Sequence, residues 1–183
     1  MIYPIVVYGD PVLKKMATDF LPEEKERVSK LIEDMFETMY NAHGVGLAAP
    51  QIGYSKRLFV VDGEALDEKE CKGFKKAFIN PVITNEHGKE WEFEEGCLSI
   101  PGLREFVSRP ETLSIKYLDE NWVERVEEFS GMKARIIQHE YDHIEGVLFT
   151  DKLSGFKKRL IQGKLTKISK GHTDANYKIK VFR

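Results

Sequence analysis

The sequence predicts an α+β fold in one domain over residues 1–183, because an amphipathic helix near the start precedes a run of strand-like segments and then two more helical patterns. A length of 183 residues and a hydrophobic share of 42% suffice for a real core. Charged residues at 32% give a well-solvated surface. No run approaches the ~18 consecutive apolar residues of a membrane span. Met1-Ile2-Tyr3-Pro4 lacks the basic and apolar regions of a secretion signal. The two cysteines, Cys71 and Cys97, allow one disulfide at most, and a domain of this size does not need it, so the expected location is cytoplasmic.

Val28, Leu31, Ile32, Met35, Phe36 and Met39 recur at the spacing of one helical face, which predicts a helix over Glu23–His43 with Pro22 in its first turn and Gly44 as its stop. Those methionines read as core packing. The next stretch, Gly44-Val45-Gly46-Leu47-Ala48-Ala49-Pro50-Gln51-Ile52-Gly53, has too many glycines and small residues for a packed helix. Strands are expected at Leu58–Val61, Ala77–Ile83 and Trp91–Phe93, with the polar piece Gly63–Gly73 as a loop. Leu113, Ile115 and Tyr117 alternate with polar residues, and Asp119–Asn121 reads as a hairpin turn into Trp122–Phe129. Ser130 suits the cap of a helix running to about Glu145, with Gly146 as its stop. Phe156, Leu160, Ile161, Leu165 and Ile168 outline a last helix, and Tyr177–Phe182 a closing strand. No repeat, low-complexity tract or linker divides the chain.

Charge is unevenly spread. Residues 155–183 hold nine Lys and Arg against Asp174 alone, a surplus of +8, so the first 154 residues carry −10 within a net charge of −2. An acidic body with a basic helix and tail can meet nucleic acid or another anionic surface. The same lysines can equally form an ordinary solvated helix face.

On the helix expected to end near Glu145, His139 and His143 stand four apart and leave one face, where two ring nitrogens can hold a metal ion. Glu140 projects to one side, within reach of a water on that metal but not as a ligand. This is the H-E-x-x-H arrangement, with the glutamate as general base. The plain alternative is a surface helix whose charges fall this way by chance. Ile136, Ile137 and Ile144 weigh against it, since they bury part of the helix and a buried ionisable trio demands partners. A third ligand must come from elsewhere: Cys97, Cys71, His43, His87, His172 or a carboxylate. Cys97 stands out because Glu95-Gly96-Cys97-Leu98-Ser99 follows an expected strand and includes a glycine that permits close backbone approach. Cys71, in a lysine- and glutamate-rich loop, reads as a bystander. Three protein ligands leave a fourth position open, as catalytic sites do and structural zinc sites do not.

Three segments together resemble the peptide deformylase family: Gly44-Val45-Gly46-Leu47-Ala48-Ala49-Pro50-Gln51, Glu95-Gly96-Cys97-Leu98-Ser99 and Gln138-His139-Glu140-Tyr141-Asp142-His143-Ile144-Glu145-Gly146. They stand in the family's order, and the family's length takes in nearly the whole chain. The resemblance implies antiparallel β-sheets packed around a central metal-binding helix bearing HExxH. It implies removal of the formyl group from the N-terminal formylmethionine of newly made polypeptides, with release of formate. The implied metal is ferrous iron, with zinc, nickel or cobalt as substitutes.

Residue by residue, the resemblance makes Cys97, His139 and His143 the ligands and Glu140 the base. Gln51 would offer its side-chain amide, and Leu98 its backbone N–H, to the formyl oxygen. Val45, Gly46 and Gly96 would offer backbone to the substrate, which would lie along the glycine loop like an added strand. Arg104 would sit near the bound peptide and Glu95 would help to hold the glycine-rich loop. Asp142 and Arg109 would pair behind the ligands. Val45, Phe93, Met132, Ile136 and His139 are the expected walls of a methionine pocket. Arg135 stands where many members have an aliphatic residue, and would narrow or charge the pocket entrance or point to solvent. Ile144 replaces a common leucine conservatively. Bacterial relatives also dock on the ribosome through the C-terminal region. Here the basic helix gives way to the strand-like Tyr177–Phe182, a departure from the commonest bacterial pattern.

Two rival readings share parts of this constellation. A metallopeptidase cutting internal bonds would use His139, His143 and Glu140 but gives no reason for Cys97 and Gln51 in their segments. A binding module with a structural metal would need a fourth protein ligand and have no use for Glu140.

Overall fold

The computed structural model describes residues Met1–Arg183. A short strand β1 (Ile5–Val6) leads through turns to α1 (Lys25–Asn41). The helix starts two residues later than the expected Glu23, because Pro22–Glu24 form a 3-10 turn in which the Glu24 carboxylate accepts from the Leu21 N–H at 2.8 Å. Of the expected face, Val28, Leu31, Ile32, Met35 and Met39 are buried, and Phe36 is half-buried at its edge. The left-handed residue that ends it is His43 (φ 56), with Gly44 N–H closing on Met39 O at 2.9 Å. The glycine-rich stretch then forms β2 (Gly46–Ala48) and a 3-10 turn over Ala49–Ile52 before β3 (Leu58–Asp62).

The main departure from the sequence pattern is a long hairpin. Ala77–Ile83 and Trp91–Phe93 are parts of one strand, β4 (Lys75–Cys97), which pairs antiparallel with β5 (Ile100–Leu118). The residues between, Thr84–Glu90, are exposed and polar, so no apolar alternation marks them; backbone pairing holds them without it. Register shifts at Ile79/Val82, Ile83/Asn85, His87/Glu90 and Gly96/Cys97 further break the period of two. β6 (Glu124–Ser130) follows the expected turn, where the Asp119 carboxylate accepts from the N–H groups of Asn121 and Val123. The sheet order is β2-β3-β4-β5-β6, antiparallel throughout.

α2 (Gly131–Ile144) packs against β2, β3, β5 and β6. Ser130 holds its N-cap position, but its side chain makes no capping bond. Glu70 of the Gly63–Gly73 loop accepts from Met132 N–H at 2.9 Å instead. Ile136, Ile137 and Ile144 are buried, as is Arg135. α3 (Gly155–Ser169) lays only Ile161, Leu165 and Ile168 on the body; Phe156 and Leu160, expected on the same face, are exposed. The chain closes with β7 (Ile179–Lys180), parallel to β1. Cys71 and Cys97 are both free thiols.

Candidate active site

α2 carries His139, Glu140 and His143 to the end of β4, where Cys97 waits. The Cys97 Sγ lies 3.3 Å from His143 Nε2, and one donor atom each from Cys97, His139 and His143 falls within 4.8 Å of the others. Tetrahedral bonds of about 2.3 Å to sulfur and 2.05 Å to nitrogen would put those atoms about 3.5 Å apart, so the donor set fits a small divalent cation. Of the candidate third ligands, Cys97 is the one that meets the histidine pair.

The charges around these donors also suit a cation. Burial lowers the pKa of both histidines. For His143 it dominates, with the neighbouring His139 and Arg109 adding to it, and the ring is held neutral, the state a metal ligand needs. At His139, Cys97, Glu95 and Glu140 outweigh burial and push the pKa well up: this spot favours positive charge. The His139 Nδ1–H donates to Glu95 Oε1 at 2.8 Å, which leaves Nε2 to face the donor cluster. Glu140 is buried with Oε2 unpartnered, and burial, helped by Glu95 and Asp142, pushes its carboxyl up to about 7.

Glu95 does not hold the glycine loop as expected. Both carboxylate oxygens are taken: Oε1 by His139 and Arg109 Nη2 (2.9 Å), Oε2 by Arg109 Nε (2.7 Å) and Arg135 Nη1 (2.8 Å). Arg109 and Asp142 pair as expected, at 2.8 Å. Arg135 points neither to solvent nor freely into a pocket entrance. At 2% exposure it also donates to Val107 O (2.8 Å) and Trp91 O (2.6 Å) and stacks over the Trp91 ring. A buried guanidinium needs such partners, and Glu95 supplies the charge.

Gln51 is oriented from the 3-10 turn after β2. Its Oε1 accepts from Ala48 N–H at 2.9 Å, and its Nε2 donates to Ser99 Oγ at 3.2 Å and faces Cys97 Sγ at 3.5 Å. Leu98 and Ser99 form the turn between β4 and β5. The glycines of the loop make room inside the protein: a Cβ on Gly46 would meet Glu140 Oε1 at 2.4 Å, and one on Gly44 would meet Leu98 Cδ1 at 2.6 Å.

Residues 2–159 match the family model described as polypeptide deformylase. This chain belongs to the polypeptide deformylase family. A peptide deformylase of Cytophaga hutchinsonii is 61% identical over 180 residues, covering 98% of this chain and 97% of that one. The crystal structure of a peptide deformylase from Legionella pneumophila is 43% identical with a TM-score of 0.81, covering 93% of this chain and 96% of that chain. That from Thermus thermophilus is 42% identical with a TM-score of 0.82, covering 93% and 99%. Such likeness carries the α+β architecture as well as the family, and no helix is long and apolar enough to cross a membrane.

Around Cys97, His139 and His143 opens a cleft of about 870 Å³. Val45, Gly46, Gly96, Arg104, Phe93, Ile136 and His139 line it. Met132 does not; it packs in the core beneath the sheet with Ile136 and Ile137. Arg104 donates to Glu94 Oε1 and Glu94 O and lies over Gly96. Sequence reasoning missed Ser99, Arg135 as a partner of Glu95, and the tail residues Thr173–Tyr177, which form part of the cleft wall. Ser99 lies inside the Glu95-Gly96-Cys97-Leu98-Ser99 segment; for the tail no local pattern gives a signal.

Proposed function

We propose that this chain hydrolyses the N-terminal formamide of N-formylmethionyl polypeptides, releasing formate and a free α-amine, with the whole of residues 1–183 as one catalytic unit. The observation that carries the reading is the convergence of Cys97, His139 and His143 beside a buried Glu140 whose carboxyl sits near neutral. These three residues would hold the metal, natively ferrous iron, with Zn2+, Ni2+ or Co2+ as substitutes. When bound, it supplies the Lewis acidity that makes water nucleophilic at neutral pH.

Glu140 takes the proton from water as its oxygen attacks the formyl carbon, a task for which a pKa of about 7 is well matched. Negative charge then builds on the formyl oxygen. The Gln51 Nε2–H, aimed by the Ala48 and Ser99 contacts, and the Leu98 N–H stabilise it; one such donor is worth ~3 kcal/mol. As the C–N bond breaks, Glu140 returns the proton to the departing nitrogen. Glu95, anchored by Arg109 and Arg135, keeps the His139 ring in place. Val45, Gly46 and Gly96 offer backbone to the peptide, with Arg104 beside it and Asp142 bracing Arg109.

Cytoplasmic location and a ribosome contact belong to the same proposal. The ribosome contact is supported by the basic surplus of residues 155–183 and the exposed lysines of α3. Protein prepared without oxygen and loaded with iron should release formate from formyl-Met peptides. Glu140→Ala should retain metal and lose turnover. Internal cleavage of peptides without formate release would sink the reading.

A further inference from the structure

We propose that Tyr177 is a positioning residue of the deformylation site: its hydroxyl fixes the turn that presents Leu98 to the substrate, which makes the C-terminal tail a working part of the enzyme. The inference rests on the function proposed above. Its hydroxyl donates to Leu98 O at 2.7 Å. Tyr8 N–H donates to Ser99 O at 2.8 Å, and Gln51 Nε2–H to Ser99 Oγ at 3.2 Å. The two-residue turn between Cys97 and Ile100 is therefore held by three separate parts of the chain.

The tail can act as a fixed strut because it is itself anchored. Ile5 N–H donates to Lys178 O at 2.9 Å and Val7 N–H to Lys180 O at 3.1 Å, on either side of the β1–β7 pairing. The Tyr177 ring packs against the core around α1. With its carbonyl held, rotation about the Leu98 Cα–C bond is restrained, and only the two backbone torsions of Leu98 separate that carbonyl from its N–H. Burial pushes the Tyr177 phenol above its ordinary range, so it remains a donor at neutral pH. The family match ends at residue 159, so neither Tyr177 nor its neighbours in the cleft wall lie in the segment it describes.

Tyr177→Phe removes the hydroxyl and keeps the ring. With iron-loaded enzyme and a formyl-Met peptide, kcat should fall about tenfold while KM stays within about twofold, because a loosened donor weakens the transition state more than the ground state. In metal-free protein, amide hydrogen exchange over residues 96–101 should quicken, with the rest of the chain unchanged. A kcat equal to wild type overturns the proposal. So does a fall in kcat with no change of exchange over 96–101, or with exchange raised throughout, which would make the hydroxyl a general staple for the tail. Wild-type protein that releases no formate would refute the underlying function, and the exchange result would still report whether the hydroxyl holds the turn.

Discussion

Gly46→Ala is the sharpest test of how Glu140, the proposed base, is placed. Gly46 does not have a left-handed φ, so its backbone alone would accept any residue. Space is what forbids one: the new methyl would stand 2.4 Å from Glu140 Oε1, 2.7 Å from its Cδ and 2.8 Å from its Cγ. Ordinary contact begins at 3.4 Å, so the carboxylate must yield by about 1 Å. Glu140 is 4% exposed and cannot swing into open solvent. Overpacking of this kind costs ~1–3 kcal/mol of stability, and a reacting group misplaced by ~1 Å can lose ~10²-fold in rate. The variant should keep its metal, since Cys97, His139 and His143 are untouched, and lose about 10²-fold in kcat for formate release. A kcat within about threefold of wild type, alongside an inactive Glu140→Ala, would refute the idea that Gly46 sets the position of the base.

Three further outcomes follow from the contacts. Arg135→Met should lower unfolding free energy by about 3–5 kcal/mol in urea titrations, because it strips donors from Glu95, Val107 O and Trp91 O; a loss below about 1 kcal/mol would show the buried charge to be dispensable. Gly163→Ala adds a methyl with nothing within 4 Å, inside α3, and should raise stability by about 0.5–1 kcal/mol without touching activity; a lower melting temperature would contradict the open space seen there. Burial would raise the Glu95 carboxyl, but the hydrogen bonds and charges of His139 and Arg109 reverse this and hold it well below the usual range. A depressed carboxylate stabilises fully above its unfolded pKa of ~4.3 and progressively less as pH falls toward the folded value. Wild type should thus lose stability steeply below about pH 4.5, and Glu95→Gln, weaker at neutral pH, should approach it there; parallel curves would refute the linkage.

Which parts were legible in the sequence follows from how far each signal reaches along the chain. α1 and α2 were readable because their periodicity is local, and His139, Glu140 and His143 came with α2 for the same reason. The β4–β5 hairpin was not, since Thr84–Glu90 is held by backbone pairing to partners 20 to 29 residues away and carries no apolar mark. Cys97 was found through the glycine beside it. The partners of Glu95 lie 14, 40 and 44 residues off, and nothing near Glu95 announces them. Glycine posed a different limit: the sequence records a missing side chain at Gly44 and Gly46, while only the fold says that Leu98 and Glu140 occupy the space.

The support behind the metal donors explains why a fold would keep so costly a cluster of buried charge. Glu95, Arg109 and Arg135 are each at most 4% exposed, and replacing such groups by well-packed apolar residues is often neutral or stabilising in other proteins. Stability alone therefore gives no reason for them. Orientation does: Glu95 is the one contact on His139 Nδ1, and it in turn is fixed from two directions by guanidinium groups, one on β5 and one on the same helix as His139. A carboxylate gripped in that way cannot follow the imidazole if it turns, so the ring is held against rigid geometry and not against a flexible acceptor. An apolar replacement of all three would leave His139 free to rotate, and the donor geometry that Glu140 and Gln51 are built around would be lost.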